Sequence, residues 1–161
     1  MSGFKTSAKI ERELLYDAAE DGKYTVTMVT TGQFDNYDAV CVRDRRMEVV
    51  EIKVRGFEDT TYPTAYIEVK KINSIIEEFK SAPTLNLAYY AFYPLSKKLY
   101  IFDILNTPHT MKLGLPLPKT TNGNKELVPT DVYEYPLSLG VCVDLTDEFV
   151  NLVEIEDEWG F

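Results

Sequence analysis

The chain has 161 residues, one domain's worth, and its 45% hydrophobic and 27% charged side chains suit a globular fold with a real core. No run approaches the roughly 18 apolar residues of a membrane span and the start has no secretory pattern, so a soluble, cytoplasmic protein with no membrane partner is expected. The formal charge is -9, yet all 17 Lys and Arg lie at or before Lys125, which leaves a near-neutral body, open to nucleic acid, and an acidic C-terminal stretch.

In chain order, Ser7 to Glu20 reads as an amphipathic helix, with Ile10, Leu14, Leu15 and Ala18 at helical spacing and Gly22 past its end. Tyr24 to Thr30, Ala39 to Val42 and Glu48 to Val54 read as strands, the last two joined by the polar turn Arg43 to Arg46. Ala65 to Lys80 returns to helical period through Ile72, Ile75, Ile76 and Phe79, and Pro83 prevents continuation. Leu85 to Tyr93 and Lys98 to Ile104 form a hairpin about Pro94 to Lys97. The order α-β-β-β-α-β-β predicts an α/β fold, a mixed β-sheet flanked by helices, since a strand, a crossover helix and a strand pair in parallel.

Turn formers from Pro116 to Asn124 mark a loop and place a boundary there. Residues 1–113 are then the core, and 114–161 are a loop plus an acidic C-terminal extension packed on the same domain. Ser138 to Leu145 is one more strand, and Thr146 to Phe161 is a short docked helix or a frayed acidic end. Tyr89, Tyr90 and Tyr93 are expected in the core, and Cys41 and Cys142 as buried free thiols. The single histidine, His109, excludes sites that need two imidazoles and is expected in a loop.

Chemistry therefore rests on carboxylates, lysine and tyrosine. On the strand Glu48 to Val54, alternation puts Glu51 and Lys53 on one face, with Val50, Ile52 and Val54 on the other. Asp38 opens the preceding strand and lies beside the end of the Glu51 strand. Two carboxylates and an ammonium suit Mg²⁺, with Mn²⁺ as a substitute: Asp38 and Glu51 are candidate ligands, joined by the Ile52 carbonyl. Such a metal would activate a water against a phosphodiester, with Lys53 orienting that water or neutralising developing charge.

Asp38 followed by Glu51-Ile52-Lys53 resembles the PD-(D/E)XK nuclease superfamily signature, with Tyr37 where the proline commonly stands. Ala8-Lys-Ile-Glu11-Arg12-Glu13-Leu14-Leu15 is similar to the opening helix of archaeal Holliday-junction resolvases, in which the first Glu joins the site; by position that is Glu11. Independently, Glu11 shares a helical face with Leu14, Leu15 and Ala18, where an acid needs a partner or a metal. The resemblance covers about Phe4 to Ile104. It implies a restriction-endonuclease-like sheet, a nuclease-like core, catalytic Glu11, Asp38, Glu51 and Lys53, DNA as substrate and a homodimer.

Arg55 and Lys71 are the candidate DNA contacts, Lys71 at the edge of the second helix's apolar stripe. Nuclease action on RNA stays open. The rival reading is a catalytically inactive nuclease fold serving as a protein-interaction module, its acidic C-terminal segment binding a basic protein partner.

Overall fold

Leu14, Leu15, Ile10 and Ala18 are all fully buried, so the apolar stripe read from the sequence does dock a helix against the sheet. The structure, a computed structural model, describes residues 7–30, 35–118 and 126–146. Helix α1 (Ser7–Asp17) is followed by the single turn α2 (Ala19–Gly22), and Lys23, in the left-handed region at φ 55°, closes it.

Strands β1 (Tyr24–Val29), β2 (Ala39–Arg43) and β3 (Arg46–Val54) form an antiparallel meander. Asp44 and Arg45 both take positive φ in the tight turn between β2 and β3, which matches the twist of the hairpin. The chain then crosses over through β4 (Thr64–Glu68) and α3 (Val69–Phe79), and β5 (Asn86–Tyr93) pairs parallel to β3. Strand β6 (Lys98–Asp103) returns antiparallel to β5. Three further strands follow: β7 (Thr110–Pro118), β8 (Leu127–Pro136) and β9 (Val141–Asp144). A six-stranded mixed sheet runs β1-β2-β3-β5-β6-β9, and a three-stranded sheet runs β4-β8-β7. The expected mixed α/β architecture is present. No helix among the described residues is long and apolar enough to cross a membrane.

Several expectations are corrected. The stretch Ala65 to Lys80 is not all helix: Ala65 and Ile67 are buried opposite Tyr135 and Tyr133 of β8, and Glu68 is still extended before α3 starts at Val69. Tertiary pairing overrides the helical spacing there, which holds only from Ile72 onward. Of the loop read from Pro116 to Asn124, Pro116 to Pro118 is the end of the edge strand β7, while 119–124 lie outside the described residues; the partner strand β8 was not anticipated. Pro116 faces Pro129, and since neither can donate, this pair occupies a position where no ladder bond is called for. The 113/114 boundary consequently falls inside β7, while β8 and β9 are built into the two sheets. Finally, Ser138 belongs to a short 3-10 turn (Leu137–Leu139), and Cys142 is exposed on the edge strand β9, whereas Cys41 is buried as expected. A side chain at Gly140 would meet the Phe102 ring at 2.7 Å, so that turn closes only with glycine. The reading of Thr146 to Phe161 lies, after Thr146, outside the described residues.

Each face of the six-stranded sheet carries its own core. On one face, α1 packs on Val50, Ile52, Val54, Tyr90 and Phe92. On the other, α3 and the three-stranded sheet enclose Val49, Tyr89, Tyr93, Phe102 and Tyr135. Strand β3 is therefore covered on both faces from Glu48 onward, and its two glutamates, Glu48 and Glu51, are removed from bulk water, while Arg46 at its start is exposed.

Candidate active site

Alternation along β3 sends Val50, Ile52 and Val54 toward α1, and so Glu51 and Lys53 toward the α3 face. Asp38 precedes β2 and is fixed by four bonds. Its N–H donates to the Val50 carbonyl at 2.9 Å, its carbonyl accepts from Thr30 N–H at 2.9 Å and Thr30 Oγ1 at 3.2 Å, and its Oδ2 accepts from the Ile52 N–H at 2.7 Å. The Asp38 carboxylate is thus locked to the middle of the Glu51-Ile52-Lys53 tripeptide. Because the N–H and C=O of a strand residue project to the same edge, the Ile52 carbonyl lies on Asp38's side of β3.

Glu51 is only 2% exposed, and among the described residues its Oε2 has no hydrogen-bond partner. Its Oε1 lies 3.6 Å from Lys71 Nζ, which also donates to the Asp35 carbonyl at 3.4 Å. Burial first, and the Asp38 carboxylate second, hold Glu51 well above the usual carboxylate range, with Lys53 and Lys71 opposing. Glu11, from α1, is pushed up to about 8 by burial and then by Asp38, while Lys53, Lys71 and Arg12 pull it down. Burial lowers Lys53, but the Glu51, Glu11 and Asp38 carboxylates outweigh it and leave the ammonium above its ordinary value. Glu11, Asp38, Glu51, Lys53 and Lys71 thus share one electrostatic neighbourhood. Glu11 is half-buried rather than sealed in the stripe beside it.

Arg55 does not stand as a DNA contact. Its guanidinium lies 4.1 Å over the Tyr66 ring, donates to the Tyr66 carbonyl and, at 3.2 Å, to the Tyr89 hydroxyl, while its Nε is buried without a partner. The tyrosines of β4 and β5 draw it inward. Sequence reading also passed over Glu48, which is 1% exposed on the opposite face of β3. Both of its oxygens accept from Arg43 Nε at 3.1 Å, Oε1 from an Arg43 terminal nitrogen at 2.6 Å, and Oε2 from the Tyr90 hydroxyl at 2.6 Å. The signal was available, since Glu48 shares its strand face with Val50 and Ile52. His109 is exposed, as expected of a loop, with its ring against Tyr133 and Tyr135.

Among the described residues no group of three or more His, Cys, Asp or Glu side chains forms a metal cage. The donor set still fits a hard divalent cation, which takes one or two carboxylates, waters and substrate oxygens rather than a closed protein cage. The partnerless Glu51 oxygen beside a fixed Asp38 is the observation that carries this fit. A groove of about 920 Å³ between α3 and β8 is lined by Glu68, Glu77, Glu78 and Asp131, with Lys70 as its cation, and so repels a polyanion.

No family model and no curated protein matches the chain. Among solved structures, the chain is similar to Hjc, a Holliday junction resolvase of the archaeal hyperthermophile Archaeoglobus fulgidus. The identity is 15% and the TM-score 0.49, with 81% of this chain and 94% of that one covered.

Proposed function

We propose that the protein is a divalent-metal-dependent deoxyribonuclease of the PD-(D/E)XK kind that hydrolyses phosphodiester bonds. The observation that carries the reading is Glu51: a buried carboxyl with one oxygen that has no hydrogen-bond partner among the described residues, beside Asp38 and Lys53. A carboxyl kept this way without function is costly, since burial disfavours its charged form and the Lys71 ammonium at 3.6 Å only partly offsets that. Asp38, Glu51 and the Ile52 carbonyl would hold Mg²⁺ or Mn²⁺, which supplies an activated water and polarises the scissile phosphate.

The chain's own residues do the rest. The Ile52 N–H fixes the Asp38 carboxylate, so its orientation costs nothing at the moment of binding. Lys53, kept protonated by three carboxylates, offers a fixed positive charge to a phosphate approaching Glu51. Glu11, raised to about 8, holds or releases a proton in the neutral range, which suits a group that exchanges one with attacking water or the leaving oxygen. In this reading residues 1–113 are the nuclease-like core, to which β8 and β9 of the following segment add strands, acting on DNA, in a homodimer if the substrate is a junction with two symmetric cuts.

Glu11-Arg12-Glu13-Leu14 makes a four-way junction the first substrate to try, beside duplex and single-stranded DNA and RNA. Labelled substrates are incubated with Mg²⁺, Mn²⁺ or chelator. Metal-dependent cutting by the wild type, reduced by ~1,000-fold in Glu51→Gln, is the expected result. A well-folded wild type that cuts none of them with either metal overturns the reading. A second reading, an interaction module, is favoured by one observation, the acidic groove between α3 and β8, a surface other than the acidic C-terminal segment and one that suits a basic protein partner.

A further inference from the structure

Lys71 is the third residue of α3, the helix that packs over the Glu51 face of β3. Its Nζ lies 3.6 Å from Glu51 Oε1, too far for a directional hydrogen bond and close enough for an ion pair. The side chain of Glu51 is 3% exposed and that of Lys71 30% exposed, so the ammonium sits at the mouth of the site with its carboxylate partner behind it. Lys53, the other cation here, is fixed on β3 two residues from Glu51, whereas Lys71 reaches in from a separate element on a flexible four-carbon stem.

We propose that Lys71 is the resident counter-ion of the site: it balances Glu51 while no divalent cation is bound and withdraws toward solvent when one arrives. This rests on the nuclease reading, because it takes Glu51 to be a metal ligand. Two features favour withdrawal over coexistence. A divalent ion on Glu51 and an ammonium 3.6 Å from the same carboxylate repel one another, and the Lys71 side chain, 30% exposed and carried by a separate helix, can swing toward solvent. Its second contact, to the Asp35 carbonyl at 3.4 Å, is long and weak and does not hold it in place. The backbone stretch that it touches leads directly to Asp38, and α3 stays tied to that stretch without Lys71, through Asn36 Nδ2 donating to Glu78 at 3.0 Å and the Tyr37 ring against Phe79. Both Glu11 and Glu51 are pulled down by Lys71, as expected of a charge shared by the whole site.

The test is Mg²⁺ binding by calorimetry, with the metal-linked rise of the unfolding midpoint as a second readout, in wild type, Lys71→Met, Lys71→Arg and Glu51→Gln. If Lys71 must be displaced, Lys71→Met binds Mg²⁺ more tightly than wild type, by roughly three- to tenfold, the range of a half-buried ion pair. Lys71→Arg keeps the charge and stays within about twofold of wild type. A lysine that merely braced the site would give the opposite sign, weaker binding in Lys71→Met, and that outcome or an unchanged affinity overturns the inference alone. Absence of a metal-linked shift in wild type, or its persistence in Glu51→Gln, overturns the nuclease reading and this inference with it. If Lys71→Met folds poorly, Lys71→Gln gives the same comparison.

Discussion

Strand β3 carries two buried glutamates three residues apart, and the sheet places them on opposite faces. Glu48 faces the α1 side with both oxygens bonded, to Arg43 and to the Tyr90 hydroxyl. Glu51 faces the α3 side with one oxygen unbonded and its nearest cation at 3.6 Å. Burial is nearly the same for both, so depth does not distinguish them. What differs is satisfaction: one carboxylate is a finished part of the core, and the other keeps coordination capacity in reserve.

The largest effect that would break this comparison is on cleavage. Glu51→Gln should lower metal-dependent cutting by ~1,000-fold while leaving stability in chelator unchanged or raised by up to about 1 kcal/mol, because it removes an unsatisfied buried acid. Urea unfolding of the same preparation checks the second half. Next, Glu48→Ala should cost about 3 kcal/mol in urea unfolding, since it strands the Arg43 guanidinium, whose side chain is only 19% exposed. If Glu48→Ala proves silent and Glu51→Gln unfolds the protein, the roles assigned to the two faces are reversed.

A pH series sharpens the picture at Glu11. A carboxyl raised from 4.5 to about 8 keeps its proton in the folded chain after the unfolded chain has lost it. Its stabilising contribution is full below pH 4.5 and is lost as pH climbs through 8, a decline on the order of a few kcal/mol. Urea midpoints in chelator should fall over that window in wild type and fall less in Glu11→Gln. The smallest effect is Tyr90→Phe, which removes one bond to Glu48 and should cost about 1 kcal/mol with cleavage intact, measured by the same unfolding.

The pairing of Glu51 with Lys53 was legible because a strand's period of two leaves no choice of face. Asp38 was legible because a tight hairpin fixes what lies opposite the end of β3. Lys71 was legible only as a position on a helical wheel, since the distance from α3 to β3 is set by the packing of Ile72 and Ile75 and not by either sequence segment alone. Arg55 misled for a related reason: its guanidinium is drawn inward by Tyr66 and Tyr89, on two other strands, one of which was hidden inside an apparent helix. Strands β7 and β8 escaped because three prolines in twenty residues signal a loop, unless the strand is known to lie at an edge.

Those prolines have a consequence for how the protein behaves at high concentration. Met111, Leu113 and Leu127 are exposed on the β7–β8 ribbon, and an apolar edge strand nine residues long is the kind of surface on which chains stack into fibrils. Because Pro116 faces Pro129 across the ribbon, the ring nitrogen of Pro116 points to the open side of β7, and Pro118, two residues on, repeats it. An incoming strand would find no donor at either place, so the outer half of the ribbon cannot template its own extension, and replacing both residues with alanine should turn a soluble edge into a seed for aggregation.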